Sequence, residues 1–154
     1  MKEKALNKMA DYCSKAERCT DDVRRKLIKY ELSEEQRNDI IKYLIKERFI
    51  DDKRYAILYA RDKARFNNWG PQKIRFQLLN KHISSEIIDE ALSQTDIDEQ
   101  IEKLQTLLTN KAQQIKHDDK WKLRNQLIRF GLSKGFDYNT VLKAPPKDVD
   151  KTEE

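Results

Sequence analysis

The side chains with which this chain could hold a metal or move a proton are Asp51-Asp52, Asp118-Asp119, His82, His117, Cys13 and Cys19. Paired carboxylates can ligate a hard cation or divide acid and base work, and His and Cys are zinc ligands. The spacing points elsewhere. The two cysteines stand six apart with no CxxC, and both histidines are remote from them in sequence. Neither a metal site nor a disulfide framework is therefore predicted. Each aspartate pair directly precedes a helical stretch, where carboxylates accept from unpaired backbone N–H groups, so capping is the reading adopted for both. His82 follows one helix and His117 lies between two, which suits surface or helix-end roles. There is no GxxxxGK[ST] phosphate loop and no GxSxG elbow. The expectation is a protein that is not an enzyme, with no cofactor and no metal.

The remaining chemistry is recognition by charge. The segment WGPQKIRFQLLNKHI (69–83) contains Lys73, Arg75 and Lys81 and no acid, in a chain that is 38% charged. Residues 53–82 hold Lys53, Arg54, Arg61, Lys63, Arg65, Lys73, Arg75 and Lys81 against Asp62 alone. Residues 84–102 hold seven acids and no base, and 103–134 turn basic again, opposed only by Asp118 and Asp119. Segregation of this kind creates a one-signed surface even at a net charge of +5, unless neighbouring segments cancel one another. Lys73, Gln77, Asn80 and Lys81 share one helix face, and Lys122, Asn125, Gln126 and Arg129 share another. Nucleic acid and an acidic protein surface are the two partners that suit such faces. Trp69, Phe66 and Trp121 flank basic residues, where they could stack on bases; packing as wedges between helices is preferred for them.

The elements that must position these residues are helices. Gly and Pro number three each, which disfavours a turn-rich sheet protein, and Lys, Leu, Ile, Glu, Gln and Arg favour helix. Only 38% of residues are hydrophobic, so a thin helical protein is expected rather than one thick core. No apolar run approaches the ~20 residues of a membrane span. The amino-terminal MKEKALNKMADYC lacks the apolar core of a secretory signal, so a cytoplasmic protein with reduced thiols is expected. Helical periodicity predicts nine helices, at about 3–17, 21–30, 34–48, 52–66 and 71–82, one after Ser84 with Ile87, Ile88, Ala91 and Leu92 inward, then at about 96–116 and 119–134, and a short one after Asp137. Thr20, Ser33 with Gln36, Asp51, Ser84 and Asp137 are the predicted caps, and Gly70-Pro71 opens the fifth helix. In the third helix Ile40, Ile41, Leu44 and Ile45 are expected inside. Pro145-Pro146 should end the order, leaving a disordered polar tail at 145–154.

Three segments repeat. VRRKLIKYELS (23–33), IRFQLLNKHIS (74–84) and LIRFGLSKGFD (127–137) align Val23, Ile74 and Leu127, then Ile28, Leu79 and Leu132, then Leu32, Ile83 and Phe136, then Ser33, Ser84 and Asp137. Fixed-period similarity means tandem modules. The predicted units are three-helix repeats at 1–50, 51–95 and 96–144.

FIDDKRYA (49–56) and GPQKIRFQLLNKHI (70–83) resemble the two signature segments of the RecX family, and LIRFGLSKGFDYNTV (127–141) resembles its C-terminal signature. The similarity covers roughly 5–144. It implies an all-α protein, an elongated, curved array of three tandem helix-turn-helix-like repeats. It also implies a non-enzymatic cytoplasmic regulator that lies in the groove of RecA filaments on single-stranded DNA and suppresses ATP hydrolysis, strand exchange and filament growth. Matched by position, the motif residues are Asp52, Arg54, Tyr55, Gly70, Pro71, Lys73, Ile74, Arg75, Leu78, Lys134, Gly135, Phe136 and Tyr138. Gly135 fits a left-handed helix end. Glu31 and His82 stand where the family commonly has glycine. With the acid-free faces, the resemblance nominates Arg54, Arg61, Lys73, Arg75, Lys81, Lys122, Arg124, Arg129 and Lys134 as a partner-binding ridge on a monomer, with weak direct DNA binding allowed. The competing readings are a stand-alone DNA-binding protein with tandem helix-turn-helix units and an adaptor whose charged faces are merely solvated.

Overall fold

The computed structural model describes residues 1–115 and 119–147. His117, Asp118 and the tail residues 148–154 lie outside them. Among the described residues every regular element is α-helical: α1 (Lys2–Lys15), α2 (Thr20–Leu27), α3 (Glu34–Lys46), α4 (Asp52–Phe66), α5 (Pro71–Asn80), α6 (Ser85–Ser93), α7 (Ile97–Gln114), α8 (Lys120–Ser133) and α9 (Tyr138–Leu142). None is long and apolar enough to cross a membrane.

The described residues separate into two units, one made of 1–59 with 78–91 and the other of 60–77 with 92–115 and 119–147. In the first, α1, α2 and α3 bury Ala5, Met9, Val23, Leu27, Ile40, Ile41 and Leu44 together with Ile50. In the second, Leu104 and Leu108 of α7 meet Leu127 of α8, Phe136, Val141 of α9 and Ala144. Ile74 and Leu78, the apolar pair of α5, are fully buried. Each module thus buries an apolar stripe only one helix wide, which is what a chain this poor in hydrophobic residues can supply.

Local chemistry sets the helix ends. The Ser33 hydroxyl accepts from Gln36 N–H at 3.1 Å while the Gln36 side chain accepts from Ser33 N–H at 2.9 Å, a reciprocal capping box. Ser84 accepts from Ile87 N–H and Asp137 from Thr140 N–H, at the same three-residue offset. Asp51 and Asp96 cap α4 and α7 in the same way. The C-termini of α5 and α8 share a second motif. Ile83 N–H donates to Leu78 and His82 N–H to Leu79; Phe136 N–H donates to Gly131 and Gly135 N–H to Leu132. Both close through a left-handed residue, His82 at φ 61° and Gly135 at φ 100°, as this C-cap requires. The left-handed end is where glycine is favoured, and His82 adopts it nonetheless.

Four expectations change. Thr20 is the first residue of α2 and Cys19 is its cap, because Asp22 accepts from Cys19 N–H and Asp52 accepts from Thr20 N–H. That helix ends at Leu27, short of residue 30, and Leu32 N–H turns back to the Tyr30 carbonyl. Ile45 is 48% exposed, and Phe66 and Trp121 are exposed rather than wedged between helices. Residues 145–147 are held along α7: Gln105 Nε2 donates to the Pro145 carbonyl and Lys147 N–H to the Thr109 hydroxyl, each at 2.9 Å.

Candidate partner-binding surface

The residues first considered for catalysis are occupied as caps. Asp51 accepts from Arg54 N–H, Asp52 from Thr20 N–H and Asp119 from Trp121 N–H. Among the described residues no three His, Cys, Asp or Glu converge on a point where a metal could sit. Burial raises both thiols, Cys19 to about 11, so they are poor nucleophiles. His82 Nε2 lies 3.7 Å from the buried Asp21 carboxylate, which also holds Arg25 at 2.8 Å. The surface chemistry is therefore that of the cations.

Two of the nine nominated cations belong to the first unit, and both are tied to carboxylates there. Lys81 Nζ donates to Asp22 Oδ1 at 2.7 Å, with only 31% and 15% of the two side chains exposed. The same ammonium sits 5.7 Å from the Tyr55 ring centroid, which stacks on Tyr59 at 5.7 Å. Burial, the largest single influence, would lower the Lys81 pKa, but the hydrogen bond it donates to Asp22 and the charge attraction of Tyr55, Asp22 and Cys19 together outweigh it and the net shift is upward. Burial likewise opposes ionisation of Asp22, and the bonds from Lys81 and Cys19 N–H reverse that, leaving its carboxyl below the usual range. Burial pushes the Tyr55 hydroxyl up to about 12. Arg54 donates through Nε to Glu17 at 2.7 Å and through a terminal nitrogen to the Arg48 carbonyl at 3.1 Å. Either cation would have to release its carboxylate to meet a partner.

The other seven belong to the second unit. α5 is seated there by a close backbone approach. Gly70 N–H donates to the Lys134 carbonyl at 2.7 Å and Gln72 N–H to Gly135 at 2.9 Å. These bonds satisfy the free donors at the start of α5, where Pro71 has none to offer. A Cβ on Gly70 would lie 2.5 Å from the Gly135 carbonyl oxygen, so this contact demands both glycines. It fixes Lys73, whose ammonium lies 4.7 Å from the Trp69 ring centroid, with that of Lys63 at 4.9 Å. Trp69 is thus a half-buried cation platform, a role the sequence pattern did not reveal. Arg75 is half-buried on the same helix, and Arg61 lies 3.6 Å from the neighbouring Asp62 carboxylate. Lys134 approaches the Phe130 ring at 5.7 Å.

α8 carries the clearest unneutralised face. Lys122, Arg124 and Arg129 are exposed and make no ion pair among the described residues. The helix contains no acid, and Trp121 beside them is 68% exposed. Behind this face α8, α7, α9 and residues 145–147 enclose an open groove of about 640 Å³. Arg124 lines the groove; Lys122 and Arg129 do not.

Comparison with known proteins identifies two three-helix segments in the chain. Residues 51–92 match the family description "RecX, second three-helix domain" and residues 98–144 match "RecX, third three-helix domain". A regulatory protein RecX of Clostridium botulinum (strain Eklund 17B) is 35% identical over 131 residues, covering 84% of this chain and 58% of the relative. One from Oceanobacillus iheyensis is 32% identical over 128 residues, covering 83% of this chain and 47% of the relative. The chain thus spans about half the length of these relatives. The crystal structure of RecX from Lactobacillus salivarius superposes with a TM-score of 0.84 at 30% identity, covering 93% of each chain. A second crystal structure, of a regulatory protein RecX, gives 0.86 at 28% identity over 93% of this chain and 72% of that one.

Proposed function

Since the chain belongs to the RecX family of regulatory proteins, we propose that it is a non-enzymatic, cytoplasmic, monomeric inhibitor of the RecA recombinase that docks in the groove of the RecA filament on single-stranded DNA. Through that contact it lowers ATP hydrolysis, strand exchange and filament growth, and so modulates recombination and DNA repair. The observation that carries the reading is the acid-free, exposed face of α8 with Lys122, Arg124 and Arg129. A helix that only met water would mix charge signs, whereas a single-signed face is matched to the acidic patches and phosphates of a nucleoprotein filament. Lys73 beside Trp69 adds a second basic element in the same unit. Repeated weak contacts with successive identical subunits multiply into firm binding. A bound regulator can slow turnover only by favouring one subunit arrangement over another.

The test is a titration of recombinase ATPase on single-stranded DNA with the wild-type chain and with Lys122→Glu/Arg129→Glu. Both residues are exposed, so the fold should survive. Inhibition is expected to weaken by about tenfold or more, as for loss of a charge-matched contact. Undiminished inhibition by the double variant removes this face from the mechanism. A second reading, direct DNA binding, is favoured by the exposed Trp121 between Lys120 and Lys122 and by Phe66, 72% exposed beside Arg65, since bases stack on such rings. It predicts a gel shift on DNA alone, with affinity falling steeply as salt rises.

A further inference from the structure

We propose that the groove between α7, α8, α9 and residues 145–147 is a docking site for an acidic peptide segment of a protein partner, one that presents a bulky aliphatic side chain between carboxylates. The inference rests on the reading of this chain as a partner-binding regulator and names the chemistry of one contact. The groove has a volume of about 640 Å³, within the range of clefts that take side chains and small ligands. Its interior is aliphatic: Leu108, Leu127 and Val141 are buried, and Leu142 is 41% exposed. Its charged lining is Lys120, Arg124 and Lys147, and no carboxylate lines it among the described residues. An apolar interior edged by cations selects an apolar anchor flanked by anions.

The wall opposite α8 is already built. Residues 145–147 are bonded to α7 through Gln105 and Thr109, and the Thr109 hydroxyl itself donates to the Gln105 carbonyl at 2.7 Å. A ligand entering the groove therefore does not have to order this segment, which lowers the entropy lost on binding. The lining also separates protein from nucleic acid. Among the described residues no aromatic ring lines the groove, so none of them offers a base a ring to stack on. A leucine-sized side chain would find Leu, Val and Pro surfaces at van der Waals distance.

The probe is a fluorescein-labelled peptide of alternating Leu and Glu, read by fluorescence anisotropy against the 154-residue chain. Two control peptides replace Leu by Ser or Glu by Gln. Binding to the wild-type chain is expected, with each control weaker by about tenfold or more. Lys120→Glu/Arg124→Glu should bind about tenfold more weakly at an unchanged melting temperature, and Leu142→Asp should do so independently, so that one misfolded variant does not decide the matter. Lys122→Glu/Arg129→Glu, which changes residues outside the groove, should retain the peptide. The assignment is overturned by no binding, by equal binding of the Ser peptide, or by equal binding to the Lys120→Glu/Arg124→Glu chain. Displacement of the peptide by a single-stranded oligonucleotide overturns it in favour of nucleic acid. Tighter binding to a chain ended after Lys147 overturns it in favour of the chain's own acidic end. ATPase inhibition measured on the same proteins keeps the two readings apart. A chain that inhibits without binding the peptide loses only this proposal, and one that binds the peptide without inhibiting loses only the reading of function.

Discussion

Replacing Lys81 by Met separates a structural cation from a partner contact. The ammonium is bonded to Asp22 at 2.7 Å, and 31% of the lysine and 15% of the aspartate side chain are exposed. A hydrogen bond to a charged group contributes roughly 1.5–3 kcal/mol when broken on one side. Two features place this one near the middle of that range. Water still reaches part of the lysine, and Asp22 keeps its bond from Cys19 N–H at 3.2 Å. Methionine preserves the apolar stem against Tyr55, so packing loss is small. The expected destabilisation is about 2 kcal/mol, a fall of roughly 8–16 °C in melting temperature for a unit of this size. Lys2→Met is the reference, because its bridge to Asp39 has 48% and 47% of the side chains exposed and should contribute less than about 1 kcal/mol. Thermal melts of both variants, and of Asp22→Asn/Lys81→Met as the double variant, give the coupling directly. The double variant should be less destabilised than the sum of the singles by about 1 kcal/mol or more. Recombinase inhibition by Lys81→Met, assayed well below its midpoint, should equal that of the wild type. An unchanged midpoint together with lost inhibition would refute the reasoning and return Lys81 to the contact surface.

Gly135→Ala is expected to destabilise the second unit by about 2 kcal/mol or more, since its φ is +100° and an added Cβ would lie 2.8 Å from the Lys73 backbone nitrogen; hydrogen exchange should show the loss at Gly70 and Gln72 amides first. Gln100→Leu should raise stability in denaturant by about 1 kcal/mol, because both polar atoms of this 4% exposed side chain lack a hydrogen-bond partner among the described residues. Acid should weaken the first unit through Asp22. Its carboxyl is held below its unfolded value, so the contribution is complete above the ordinary aspartate pKa of about 3.9 and is lost as pH falls through the lower folded value. In Asp22→Asn that part of the acid transition should vanish from the melting-temperature profile.

What was legible in the sequence was what depends on neighbours three or four residues away. Ser33, Asp51, Ser84 and Asp137 cap helices because a short oxygen-bearing side chain reaches an amide three residues on, and that geometry travels with the local sequence. The buried pair Ile74 and Leu78 follows from helical period alone. Cys19 was missed as a cap because one of the bonds that set it, from Thr20 N–H to Asp52, spans 32 residues. The exposure of Trp121 and Phe66 was missed because periodicity places a ring on a face without saying whether another helix covers it. The groove was invisible for the same reason: its wall at 145–147 depends on Gln105 and Thr109, about 40 residues earlier.

The repeat alignment shows why charge counting alone overstates a binding surface. Its aligned apolar residues divide into two kinds: Val23, Ile74 and Leu127 are buried, whereas Ile28, Leu79 and Leu132 are 71%, 45% and 44% exposed. Repeated similarity therefore marks surface positions as well as core ones, and only packing tells them apart. The same holds for cations. Lys81 and Lys122 both stand on acid-free stretches of sequence, yet Lys81 is matched by Asp22, 59 residues away, while Lys122 makes no ion pair among the described residues. A carboxylate delivered by the fold satisfies a lysine as fully as one delivered by the next turn, and the sequence reports only the second kind. On the proposed reading, the cations that neither kind neutralises are the ones to test for partner contact, so α8 comes before Arg54 and Lys81.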